Sequence, residues 1–558
     1  MAVHGRGFAI ALCRGSLVAA GLLAACAPAR IAPRGEEARI RPEALRAHME
    51  FLADDRLEGR ESGTRGYDLA ALYVAAQFQE MGLQRAGSDG YFQHVPLRVA
   101  RLVPGSVALT VAGPRGERRF ADPGRVVAYP SVTETEQRIQ APAVFAGYGI
   151  VAPEYGRDDY ARLDVRGKYV VLLGGPPPGF SDEVAAHFGS TDEQRARAAE
   201  RGAVGVLLVY TPAFEARFPF ARLGDVALQP TLDWVDPSVP RAGDGGMRTG
   251  ALVHPAAAAE LLQGAPRDLD AVMREASTRP PDGFPLAVTV TLERRATHQR
   301  LSSANVAGLV PGADPRLTDE VVAVVGHLDH VGIGTPRDGD SIYNGALDNA
   351  SGIAMILEIA RVLRTPDARP ARSILFVALT AEEKGLVGSD YFARNPTVAP
   401  RRIVAVINLD GAMPFYEFTD VIGFGAESST LGRSFARVAA GMGLTVSPDP
   451  APELTFFTRS DHYSFVQQGI PSLFPQMGSG SEPGRESGVA LARRFATEHL
   501  HQPTDQLSLP IDYGVLARYT ELLRRLAAEV ADAPERPLWY EGDFFGNRFA
   551  PDAPKARR

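Results

Sequence analysis

Only two cysteines, Cys13 and Cys26, occur in 558 residues, which excludes a disulfide scaffold and a thiolate zinc module. Excess positive charge is missing as well. Lys+Arg 59 against Asp+Glu 66 leaves a formal net charge of −7, so no nucleic-acid partner is expected. Beyond the first 25 residues no apolar run reaches membrane-spanning length, and no internal repeat is present. What remains is an ordinary globular composition, 45% hydrophobic and 22% charged, which excludes global disorder, a coiled coil and a fibrous repeat. At about 150 residues per domain the length suggests roughly three or four domains. Gly 56 and Pro 43 are somewhat high and point to many loops.

The first residues read as a targeting segment. Arg6 and Arg14 precede a small-apolar run over 17–25, too short for a stable bilayer span. The run ends Leu23, Ala24, Ala25, Cys26, which resembles the lipobox of bacterial lipoproteins, where the cysteine is lipidated and becomes the first residue. The alternative is an ordinary secretory signal with Cys26 incidental. Either way the chain is expected to be exported, with a periplasmic or cell-envelope location and membrane contact only through a lipid anchor at Cys26. Loss of residues 1–25 removes two arginines and no acid, so −7 becomes −9. An acylated Cys26 leaves no free thiol, which suits an oxidising compartment.

A Pro/Arg-rich linker over 26–41 leads to a helix over 42–53 with Pro42 near its start. A glycine-rich loop over 59–66 and an amphipathic helix over 67–81 follow, the latter stopped by Gly82. Short strands are expected at 107–111 and 126–128. From about 141 to 292 buried strands and glycine turns dominate, with Gly147, Tyr148 and Gly149 early, a strand ending at 173, a helix over 194–201 and a strand over 202–209. These pieces resemble the protease-associated domain, a β-rich module inserted in some exported peptidases, here assigned to 127–299. His187, His254 and His298 stand singly in polar or loop contexts and read as surface residues.

From 305 to 532 apolar strands (321–325, 373–379, 403–409, 472–474) alternate with helices (353–363, 461–468, 515–530). That alternation predicts an α/β sheet with helices on both faces, and ligands collect at the carboxyl ends of such strands. The tail 533–558 shows no clear periodicity.

Metal-ligating residue types recur at those strand ends. One strand ends in His327 and Asp329, which alternation points to the same side. A carboxylate there can orient a metal-bound imidazole. Asp348 lies in the stretch from Asn344 to Gly352 that opens a helix, where it could be only a cap. Glu382 and Glu383 follow the next strand; two adjacent carboxylates cannot easily face one way, so one can bind metal while the other faces substrate. Asp410 ends a further strand, and His501 lies in a loop before the last helix. Singly each is weak evidence. Jointly, five nitrogen and oxygen donors on one sheet edge suit a catalytic zinc site and are too many for one zinc, so a two-metal site sharing a carboxylate fits.

The ordered series resembles the co-catalytic zinc exopeptidases of clan MH, the family of aminopeptidase Y and glutamate carboxypeptidase, over residues 42–126 and 300–532. The resemblance implies a doubly wound mixed sheet of the zinc exopeptidase type with an inserted protease-associated domain. It further implies that His327 and Asp410 bind one Zn2+, Glu383 and His501 the other, and that Asp348 bridges the two. Glu382 would be the general acid/base of a zinc-bridged hydroxide, Asp329 an orienting carboxylate, and Asp461 a further supporting position. Some relatives carry tyrosine just before the last histidine; here it is Leu500, and Tyr463 is one candidate to replace it. His330, His462 and His499 are open between substrate contact and polar neighbour. The expected activity is hydrolysis of peptide substrates, with an aminopeptidase favoured because a carboxylate-rich cleft suits a free α-amino group. A carboxypeptidase or amidohydrolase is the alternative. A non-catalytic protein like the transferrin receptor is disfavoured because all ligands and Glu382 are present, and a one-zinc glutaminyl cyclase because the full bridging set is.

Overall fold

The computed structural model describes residues 39–217, 219–235, 249–399, 402–480 and 487–558. The segment expected to be a leader, residues 1–25, and Cys26 lie outside them. The strands Val321–His327 and Ser373–Leu379 are apolar almost throughout and buried at every position. Such strands need cover on both faces. Alternation supplies it: Val322, Val324, Ile374 and Phe376 point into one core, and Val321, Ala323, Val325, Leu375 and Val377 into another.

The first core is closed by the helices Pro42–Leu52, Arg65–Glu80, Ser351–Leu363 and Tyr513–Asp532. Thr64 caps the second of these and Asp512 the last, each accepting main-chain N–H groups of the first turn. Phe392 and Phe465, from Val387–Arg394 and His462–Val466, close the opposite core. Truncating Phe376 or Phe392 would leave a cavity of the kind that costs about 3–5 kcal/mol.

The central sheet is mixed. Ser373–Leu379, Val321–His327, Ile403–Asn408 and Ser472–Met477 run parallel in that spatial order, with Phe284–Val310 and Asp420–Phe424 antiparallel on the two sides. All four parallel strands therefore deliver their carboxyl ends to one edge.

Phe284–Val310 belongs to two sheet regions. Residues 296–310 pair with Phe92–Leu102 and Ser373–Leu379, whereas 284–295 pair with Ala108–Gly113 and Glu136–Phe145. The second region continues through parallel Tyr169–Leu173, Gly205–Val209 and Thr249–Val253. The boundary placed at 299/300 thus falls inside one continuous strand. The tail is folded: Trp539 and Phe545 are buried beside Phe188, Phe457 and Tyr463 in an aromatic cluster that joins the second region to the first. No helix among the described residues is long and apolar enough to cross a membrane.

One surface assignment is corrected. His187 is fully buried, its Nδ1 lying 2.5 Å from the Tyr463 hydroxyl and its Nε2 3.4 Å from Glu193. Its helix, Asp182–Gly189, packs inward against the tail, which no local pattern around residue 187 signals. His254 and His298 are half-buried, the first capping a helix and the second bonded to the Ser131 carbonyl.

Candidate metal centre

His327 is the last residue of its strand, and its neighbours Leu328 and Asp329 turn away at the sheet edge. Its Nδ1 faces the Asp329 main-chain carbonyl at 3.1 Å, so Nδ1 carries the hydrogen and Nε2 is left for the cleft. Nε2 stands 3.1 Å from Asp348 Oδ1 and 3.1 Å from Asp410 Oδ1. On the other side of Asp348, Oδ2 is 3.2 Å from His501 Nε2, which is also 2.9 Å from Glu383 Oε2. One carboxylate therefore lies between two groups of donors, presenting one oxygen to each. Asp348 makes no helix-capping bond, so the cap reading does not hold.

The electrostatics follow from this crowding. Burial opposes both shifts, yet His327 is raised well above its ordinary value by Asp410, Glu382 and Asp348, and His501 by Glu383 and Asp348. Asp348 and Glu383 are held low, against burial, by the histidines around them. Glu382 behaves oppositely: burial, with Glu383 and Asp410 adding to it, pushes its carboxyl well up.

Supporting groups fix these side chains. Ser460 Oγ donates to Asp410 Oδ2 at 2.5 Å and accepts from Asn408 Nδ2 at 2.6 Å. Asp505 is fully buried and accepts the Leu347 and Asp348 N–H groups at 2.9 and 3.0 Å. It stands four residues after His501, and that spacing was its only trace in the sequence. The Asp329 carboxylate accepts the N–H groups of Glu382 (3.1 Å) and Glu383 (3.4 Å), so it sets the Glu382–Glu383 turn. Asp461 is buried in the field of His327 and Asp410 and pushed up to about 7, by burial first.

The open histidines separate cleanly. His330 joins the cluster, its Nδ1 2.7 Å from Glu383 Oε1. His462 is buried among Phe457 and Phe474 and pushed down to about 3 by burial. His499 bonds Thr504. Tyr463, bonded to His187, is not among the residues that line the cleft.

The donor set fits zinc. His327, Asp348 and Glu383 offer ligand atoms within 4.8 Å of one another. Donors at about 2.0–2.2 Å from a tetrahedral zinc stand roughly 3.4 Å apart, close to the separations above. The centre opens into a cavity of about 440 Å3. Its polar end holds His327, Asp348, Glu382, Glu383, Asp410 and His501. Its wall is apolar, with Met413, Ile422, Phe424, Phe456, Phe474 and Met477. The helix Gly488–Glu498, which sequence periodicity did not reveal, also lines it, and Asp192 reaches it from the second sheet region.

Residues 305–527 match the sequence profile described as Peptidase family M28. A probable zinc metalloprotease of Pyricularia oryzae is 33% identical over 267 residues, 41% of this chain and 50% of that protein. Leupeptin-inactivating enzyme 1 of Streptomyces exfoliatus is 30% identical over 165 residues, 29% of this chain and 33% of that one. The chain thus spans half or less of the length of these curated relatives. The solved aminopeptidase of Aneurinibacillus sp. strain AM-1 shares the fold, with a TM-score of 0.50 and 19% identity across 90% of this chain and 96% of that chain.

Proposed function

Because residues 305–527 match Peptidase family M28, we propose that this protein is an exported di-zinc exopeptidase, and specifically an aminopeptidase. The observation that carries the reading is the Asp348 carboxylate, with one oxygen toward His327 and Asp410 and the other toward His501 and Glu383. His327 and Asp410 would hold one zinc, His501 and Glu383 the second, and Asp348 both.

Zinc, when bound, lowers the pKa of water and polarises a carbonyl oxygen. Glu382 lines the same cleft without belonging to either donor group. Its carboxylate takes a proton from the attacking water and returns it to the departing amine, as a positioned general acid/base does. Asp329 holds the Glu382 main chain, and Ser460 holds Asp410, so neither acid has to reorganise during the reaction.

The cleft's carboxylates, Asp192 and Asp449 among them, suit an ammonium group, and its apolar wall suits a large hydrophobic side chain beside it. Leucyl and phenylalanyl amides are therefore expected to be cut fast, and their N-acetylated forms about 5–150-fold more slowly, since leaving buried carboxylates without their ammonium partner costs roughly 1–3 kcal/mol. Assays on the zinc-loaded protein check this, and equal rates on free and acetylated substrates reject the aminopeptidase.

A second reading has its own support. Arg459 lines the cavity in the field of Glu382 and Asp410 and can accept a substrate carboxylate, which favours a carboxypeptidase or dipeptidase. Faster cleavage of C-terminal glutamyl peptides in the same panel selects it. The inserted region 127–299, read as a protease-associated domain, would shape access to the cleft, as the presence of Asp192 in its lining suggests. For export, the expected result is an acylated Cys26 at the mature N-terminus, read by mass spectrometry; an unmodified N-terminus elsewhere rejects the anchor.

A further inference from the structure

The glycine-rich loop that precedes Arg65–Glu80 has no part in the chemistry above, yet it is stitched to the centre residue by residue. Arg60 is a guanidinium only 1% exposed. Its Nε donates to the Leu328 carbonyl at 3.0 Å, Nη1 to those of Asn344 (2.5 Å) and Leu52, and Nη2 to that of Gly345 (3.0 Å). Leu328 separates His327 from Asp329, and Asn344 and Gly345 begin the turn that carries Asp348. The Arg60 carbonyl in turn accepts the His330 N–H at 3.2 Å. Glu61 pairs with Lys384 at 3.0 Å, and Ser62 Oγ accepts the Ala381 N–H at 2.8 Å, so the next two side chains hold the turn of Glu382 and Glu383.

The loop is shaped for this. Glu58, Gly59 and Arg60 all have positive φ, unfavourable for the two residues with side chains. A Cβ at Gly59 would meet the Tyr343 and Gly332 carbonyls at 2.5 and 2.6 Å, so only glycine lets the loop come this close.

We infer that the loop Arg60, Glu61, Ser62 is a positioning device for the metal centre, with Arg60 as its principal positioning residue. Its planar fork ties the His327–Asp329 turn to the Asp348 turn and so sets the separation of their donors. The sheet ladder fixes where each strand ends but not the distance between the turns beyond those ends. The fixed positive charge also lies in the field of Asp505, Asp348, Asp329 and Glu383, a crowd of carboxylates that repel one another. The inference rests on the metal reading of the site.

The test is zinc affinity, measured with Zn2+ alone by competition against a chelator, on the unmutated full chain and on Arg60→Lys. Lysine keeps the charge and loses the fork. Loss of a group that orients ligands typically costs about 10–100-fold in metal affinity, and that weakening is expected here, with kcat at saturating zinc falling more than KM changes. Arg372 is the control. It is equally buried and also bonds main-chain carbonyls, those of Ala531 and Ala533, but it precedes the strand Ser373–Leu379, at the end away from the centre. Arg372→Lys is expected to lower Tm and leave zinc affinity unchanged. If Arg60→Lys does not fold, Ser62→Ala takes its place, with weakened zinc binding again expected. Unchanged affinity in the folded loop variant overturns the proposal, and so does equal weakening in the Arg372 control. An unmutated chain that binds no zinc overturns the metal reading and the proposal with it, a result distinct from the other two.

Discussion

Glu382→Gln is expected to keep its zinc and its fold and to lose about 10²–10⁴-fold in kcat, the usual contribution of a positioned general acid/base. The substitution is nearly isosteric and removes only the capacity to take up and release a proton. Glu382 lines the cleft, whereas Glu383 lies 2.9 Å from His501, so metal content and proton transfer are separable between adjacent residues. The main-chain N–H of Glu382 bonds to Asp329, and that bond survives the change. Burial raises the Glu382 carboxyl, with the charges of Glu383 and Asp410 adding to it. The loss should fall in kcat more than in KM, because the transferred proton matters in the transition state and little in the ground-state complex. Zinc content and steady-state kinetics on the purified variant check both halves. A variant near full activity makes Glu382 a solvated acid, and one that has shed its metal makes it a ligand.

The donor residues were legible because their chemistry is local. A strand that ends in a histidine or a carboxylate can be read from a few residues, and the doubly wound pattern places such ends on one edge. His327, Asp348, Glu383, Asp410 and His501 meet there, and the strand over 373–379 has the expected limits. What escaped was long-range. Asp329 lies two residues from His327, yet its carboxylate reaches a turn more than 50 residues away. Arg60 contacts main-chain carbonyls, and carbonyls carry no residue-specific signal in a sequence. His187 and Tyr463 are each polar and unremarkable locally, and only the packing of the second sheet region against the tail buries them together. The strand Phe284–Val310 passes through an assigned domain boundary because its alternation of buried and exposed positions changes partners midway without a turn residue to mark the change.

Asp348→Ala is expected to empty both zinc positions, and His501→Ala only one. The contrast follows from geometry. Asp348 gives Oδ1 to the side of His327 and Asp410 and Oδ2 to the side of His501 and Glu383, so its removal takes a donor from each group. His501 faces Asp348 Oδ2 and Glu383 and, half-exposed at the mouth, leaves the His327–Asp410 pair intact. Affinity at both positions of Asp348→Ala should fall by more than the roughly 10–100-fold that loss of an orienting neighbour costs. Activity should be lost with the metal, and the thermal stabilisation that zinc gives the unmutated protein should vanish, since a ligand that binds only the native state raises its stability by mass action. The competing account is a metal-free network of charged histidines and carboxylates. Under it, chelation leaves Tm unchanged and Asp348→Ala is destabilising for a different reason, the buried His327 left charged with one partner fewer. Metal analysis of the two variants, with melting curves in zinc and in chelator, separates the accounts. Two ions still bound to Asp348→Ala, or one lost from each variant alike, excludes a carboxylate shared between two zinc ions.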